Sequence, residues 1–147
     1  MFRQIHYGSP EYEAAFRLRD DVLRRPLGLR LDDADREQDE EQLHFALFSA
    51  NDELLASVTV DRLDRQRVKI RQMLVAPGHE GQGLGRRLMQ ETENELIGRG
   101  FRHAALNARL PAVMFYRKLG YRETGSPFEE VTILHQRMEK LLEIHDD

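Results

Sequence analysis

Leu74-Val75-Ala76-Pro77-Gly78-His79-Glu80-Gly81-Gln82-Gly83-Leu84-Gly85-Arg86-Arg87-Leu88-Met89 carries an apolar, β-like run into a loop with four glycines, and that loop opens into an amphipathic helix. Glycine at 81, 83 and 85 removes side chains where the chain turns, so main-chain N–H groups can approach a ligand closely. The first helical turn adds unpaired N–H donors and the positive end of the helix dipole, a seat suited to phosphate. A phosphorylated cofactor is the expected ligand.

Spacing narrows the choice of cofactor. A Walker-type loop needs Lys-Ser or Lys-Thr after its last glycine, and neither follows here. The dinucleotide fingerprint Gly-x-Gly-x-x-Gly fails too, because Arg86 occupies the place of its third glycine. What remains is Gly-x-Gly at a strand-to-helix turn, preceded by a proline.

That pattern resembles motif A of the GNAT superfamily of N-acetyltransferases, Gln/Arg-x-x-Gly-x-Gly/Ala. Gly83 and Gly85 match it, Gln82 holds a commonly polar position, and Glu80 stands where the family usually has Gln or Arg. A second block agrees in order and distance. Residues 101–109 read as a strand, and residues 112–121, Ala-Val-Met-Phe-Tyr-Arg-Lys-Leu-Gly-Tyr, read as a short helix ended by a glycine. This is similar to GNAT motif B, with Arg109 where many members carry Asn, a replacement suited to binding cofactor or an acidic substrate group. The resemblance covers about residues 54–140. It implies an α/β (α+β) fold in a single domain over residues 1–147. The expected sheet is mixed, mostly antiparallel and twisted, of about seven strands, with helices on both faces and a splayed central strand pair.

Composition agrees with one globular domain: 147 residues suffice for one core and not for two. The absence of cysteine removes disulfides, thiolate metal sites and a cysteine nucleophile. A net charge of -4 argues against a general nucleic-acid binder. No apolar run approaches the ~18 residues that span a bilayer and no secretory leader is visible, so a cytoplasmic protein without membrane partners is expected.

Along the chain, residues 2–7 read as a strand, and Ser9 with Pro10 starts a helix over 11–24 that Pro26 and Gly28 interrupt. The acidic run 32–41 reads as a solvated loop; beside an acceptor site its field would draw in a cationic amine. Residues 43–50, 54–63 and 67–75 form an antiparallel meander. A helix over 83–99 shows Leu84, Leu88, Met89, Thr92, Leu96 and Ile97 on one face. After the motif B elements come strands over 121–125 and 131–138, then a polar tail with a frayed helical end.

The resemblance implies acetyl transfer from acetyl-coenzyme A to an amine, without a metal, and assigns roles by position. The diphosphate rests on the N–H groups of Gly81, Gln82, Gly83, Leu84, Gly85 and Arg86, with charge from Arg86 or Arg87. Main-chain groups of Met73, Leu74 and Val75 take the amide-rich pantetheine arm, and the N–H of Met73 or Leu74 stabilises the oxyanion. Asn107 is a further pantetheine partner. Tyr116 is the expected proton donor to the leaving thiolate and a cofactor contact. Lys69 occupies the place where some histone-type relatives have a glutamate base. The remaining base candidates are His135, His44, Glu129 and Glu130, imidazole being suited to proton removal near neutrality. Side-chain packing is the plainer reading for Tyr116, His135 and the apolar strand residues. The acceptor is a small-molecule or protein amine, and a homodimer is compatible with relatives that pair their last strands. Two alternatives stay open: a longer acyl donor, and an acyl-coenzyme A sensor without turnover.

Overall fold

The computed structural model describes residues 1–143. Its strands are β1 (Phe2–Ile5), β2 (Leu43–Phe48), β3 (Leu54–Arg62), β4 (Arg67–Val75), β5 (His103–Arg109), β6 (Arg122–Glu123), β7 (Phe128–Glu130) and β8 (Ile133–Leu141). The helices are α1 (Pro10–Arg19), α2 (Asp33–Glu40), α3 (Leu84–Gly98) and α4 (Val113–Lys118). One sheet of order β1-β2-β3-β4-β5-β8-β6 contains the strands, with β7 paired to β8. Among these pairings only β4 and β5 run parallel.

Alternation along β2 explains why both faces are covered. Leu43, Phe45 and Leu47 join Val58, Val60 and Val68 under Leu88, Met89 and Leu96 of α3. Ala46 and Phe48 point the other way, against Tyr12, Ala15 and Phe16 of α1. Each face therefore buries its own apolar stripe.

Helix α1 starts as expected: the Ser9 hydroxyl accepts from the Tyr12 N–H at 3.1 Å, and Pro10 fills the first turn. It ends earlier than the periodicity predicts. Past Arg19 the chain widens into a π turn over Asp20–Arg24, then a 3-10 turn over Arg25–Leu27. The Asp20 carboxylate accepts from the Leu31 N–H at 2.7 Å and Arg30 Nε at 3.0 Å, tying the turn to the segment that returns. That anchor and Pro26 leave no continuous α ladder.

The acidic run forms helix α2, not a loop. Asp32 and Asp35 exchange a capping box, each side chain accepting from the other's N–H. Asp39, 2% exposed, faces inward, where it accepts from Tyr12 Oη at 2.6 Å and Arg19 Nη1 at 2.8 Å.

The C-terminal strands also differ from expectation. The strand over 121–125 contracts to β6, because Tyr121 is buried with its hydroxyl donating to Glu93 at 3.0 Å. The strand over 131–138 is instead a hairpin, β7 and β8, joined through Val131 and Thr132, both at positive φ. β8 continues to Leu141, where part of a helical tail was expected; residues 144–147 lie outside the described part. Among the described residues the sheet thus has eight strands where about seven were expected.

Candidate active site

β4 and β5 pair only from Arg67 with His103 to Ile70 with Leu106. Beyond that point β4 stays with β3 up to Val75, whereas β5 is held by β8 up to Arg109. The strands part, leaving the facing main-chain edges of residues 71–75 and 107–109 without a strand partner. A bulge marks the parting: Gln72 has φ 53, and the β3–β4 register shifts between Ser57 and Thr59. The Ala76 N–H donates to the Leu55 carbonyl at 2.8 Å. Strand alternation then turns the main-chain groups of Met73 and Val75 into the opening, and that of Leu74 toward β3.

The glycine loop follows directly. Gly83 precedes α3 at φ 76 and supplies no side-chain cap. The first helical bond runs from the Arg87 N–H to the Gly83 carbonyl at 3.0 Å. Among the described residues, no protein acceptor takes the N–H groups of Gly81, Gln82, Gly83, Leu84, Gly85 or Arg86. A Cβ on Gly85 would lie 3.2 Å from Phe115 Cζ and 3.5 Å from Met73 Cε, so glycine lets α3 close against α4 and the parted strand. The Glu80 carboxylate is turned back to accept from the Gly78 N–H at 2.9 Å. Arg87 pairs with Glu91 one turn on, while Arg86 has no ion pair among the described residues. The loop therefore combines free amides with one free guanidinium, donors that fit a diphosphate.

At the parting lies a cavity of about 140 Å³, bordered by Met73, Asn107, Tyr116 and His135 among others. Tyr116, 8% exposed, packs edge-on to both Phe115 and Tyr121, and burial raises its phenol well above the ordinary range. His135, 5% exposed, stacks on Phe128, and its Nδ1 lies 3.0 Å from the Ile133 carbonyl. A carbonyl only accepts, so Nδ1 is the donor of this bond; in the neutral ring that leaves the lone pair on Nε2. Asn107 donates to Glu130 at 2.9 Å.

Not every sequence candidate gathers here. His44 sits on β2 with Nε2 donating to the Asp39 carbonyl at 2.9 Å and Nδ1 3.2 Å from Thr59 Oγ1; it borders no part of the cavity. Burial pushes its pKa down. Glu129 is exposed on β7, while Glu130 and Lys69 do line the cavity. Arg24 and Arg71 line it as well, and sequence reading passed over both. Arg71 carried a signal: it alternates with Val68 and Ile70, so it must face away from the α3 core. Arg24 carried none, since only the π turn swings it over the sheet.

The match to known proteins decides the family. A model for the acetyltransferase (GNAT) domain matches residues 29–142. The chain belongs to the GNAT acetyltransferase family. Streptothricin acetyltransferase of Streptomyces lavendulae is 40% identical over 63 residues, covering 41% of this chain and 33% of that protein. The match thus spans about a third of that relative's length. An acyl-CoA N-acyltransferase from Pseudomonas aeruginosa shares the fold with a TM-score of 0.80 at 21% identity, over 95% of this GNAT chain and 98% of its own. An aminoglycoside 6'-N-acetyltransferase complexed with coenzyme A gives a TM-score of 0.75 at 17% identity, over 100% and 99% of the two chains. No helix among the described residues is long and apolar enough to cross a membrane.

Proposed function

We propose that this GNAT protein transfers an acetyl group from acetyl-coenzyme A to a primary amine by direct attack. The observation that carries the reading is the breach beyond Ile70 and Leu106, which joins free loop amides to a cavity holding an imidazole and a phenol. The cofactor would supply the acetyl thioester. The N–H groups of residues 81–86, with Arg86, would hold its diphosphate. The inward main-chain groups of Met73 and Val75 would hold the pantetheine amides and the carbonyl oxygen. His135 Nε2 takes a proton from the amine as the C–N bond forms. Tyr116, kept protonated by burial, donates its O–H to the departing sulfur as the C–S bond breaks. Asn107 and Glu130 hold one another across the cavity floor and shape it.

Titration calorimetry with coenzyme A, followed by free-thiol release against a panel of amines, tests this. The expected result is binding together with amine-dependent thiol release. Binding with no release for any amine favours a sensor without turnover; absence of binding overturns the reading altogether.

A further inference from the structure

The cavity wall is unusually rich in one sign of charge. Arg24, Lys69, Arg71 and Arg109 border it against one carboxylate among the described residues, Glu130, which already accepts from Asn107. Lys69 and Arg71 alternate with core residues of β4, and Arg109 alternates with core residues of β5, so all three share one face. His135 pairs with Arg109 across the β5–β8 register, which puts the imidazole on that face too. Arg24 closes over it from the π turn, and Arg109 is steadied by donating to the Leu23 carbonyl at 2.9 Å.

These guanidiniums lack the partners their neighbours have. Arg19 pairs with Asp39, and Arg25 and Arg30 pair with Asp20. Arg24, Arg71 and Arg109, each half-buried, make no ion pair among the described residues. Burial presses the Arg24 guanidinium below its ordinary range; the charge of Asp35 opposes that shift, while those of Arg109, Arg19 and Arg71 add to it, and burial lowers Arg109 as well. Like charges brought together and partly dehydrated oppose folding unless an anion joins them. The loop that suits the diphosphate shares no residue with this wall, so the cofactor phosphates do not account for it.

Resting on the acetyl-transfer reading above, we propose that the acceptor bears an acidic group, carboxylate or phosphate, seated on Arg71 and Arg109 under Arg24 while its amine meets His135. This assigns the substrate class as amino acids or phosphoamines, not polycations.

Matched pairs test it. Thiol release is measured for tyrosine against tyramine, lysine against cadaverine, and phosphoethanolamine against ethanolamine. The acidic member of at least one pair is expected to have a kcat/KM about tenfold or more above its twin without the acid group, with the difference mainly in KM. Whether the carboxylate or phosphate pairs respond tells which anion is used. In Arg71→Gln the ratio within that pair collapses toward one; the Arg71 side chain makes no hydrogen bond among the described residues and its main chain stays in the β3–β4 ladder, so the variant is expected to fold. Binding of the same twins to the coenzyme A-loaded protein, read by calorimetry, gives an answer even without turnover. Equal affinity for every pair, or an acidic preference that survives both Arg71→Gln and Arg109→Gln, overturns the anion seat. Loss of coenzyme A binding instead overturns the acetyl-transfer reading, so the two failures are separable.

Discussion

Ile70 of β4 and Leu106 of β5 form the last rung that joins the two central strands. Past this rung the bulge at Gln72 carries β4 toward β3, and β8 keeps hold of β5. A single break in pairing thereby exposes main chain on one side and opens a cavity on the other. Both halves of the proposed reaction use the same defect in the sheet.

The turn that feeds α3 depends on left-handed backbone at Gly83, where φ is 76 and no atom lies within 4 Å of the place a Cβ would take. Alanine there meets no clash, only the conformational penalty of about 1–2 kcal/mol for a side chain in this region. Gly83→Ala is expected to lower stability by that amount and to weaken coenzyme A binding as the loop relaxes. Gly83→Asn, which tolerates the conformation better, is expected to recover part of both. Denaturant unfolding and calorimetry on the two variants read the effect; equal coenzyme A affinity in all three proteins contradicts it.

Two adjacent arginines separate a ligand role from a helical one. Arg87 is engaged with Glu91 at 3.1 Å, an exposed pair worth about 0.3–0.5 kcal/mol. Arg86 has no such partner among the described residues. Arg86→Gln should weaken coenzyme A about three- to tenfold and flatten the salt dependence of binding, by loss of one charge-assisted contact. Arg87→Gln should leave affinity within about twofold and shift stability slightly. Reversal of that order, measured by calorimetry at two salt concentrations, places the phosphate elsewhere.

The legibility of this chain follows how local its signals are. The glycine loop, the meander and α3 were readable because turn residues and apolar periodicity lie within a few positions of one another. Helix α2 was not, since its sequence offers no apolar face; it is defined by a capping box and by one inward aspartate whose partners, Tyr12 and Arg19, lie more than a turn of chain away. The hairpin at Val131 and Thr132 was hidden because both residues take positive φ without glycine or asparagine to announce it. The loop amides and Tyr116 were placed by resemblance. Of the arginines in the basic wall only Arg109 stood out in the sequence, as a departure from the motif; Arg24 and Arg71 did not, because the three meet only after the sheet forms and the π turn folds over it.

Imidazole and phenol at the cavity make separable predictions. His135→Gln removes the Nε2 lone pair and is expected to cut kcat by about 10²-fold or more, with coenzyme A affinity unchanged. Tyr116→Phe keeps the edge-on packing against Phe115 and Tyr121 and removes only the hydroxyl, so kcat falls while the melting temperature holds. Because burial raises the Tyr116 pKa, the phenol stays protonated across the ordinary assay range, and any alkaline fall in rate must come from another group. Unchanged kcat in both variants, measured at saturating amine, removes these two side chains from the chemistry.

His44 affects stability through pH instead. Its pKa is lowered from 6.5, chiefly by burial, so the folded protein keeps it neutral where the unfolded chain takes up a proton. The unfolded state then binds more protons as pH falls below about 6.5, and linkage requires stability to decline in that window. The depressed carboxyl of Asp20 acts lower, below about pH 4, because its unfolded reference is 3.8. Between pH 7.5 and 5 the wild-type urea midpoint is therefore expected to drop more than that of His44→Gln. The glutamine can still donate to the Asp39 carbonyl and accept from Thr59, but it cannot titrate. Identical drops in the two proteins would show that His44 carries no part of the acid sensitivity.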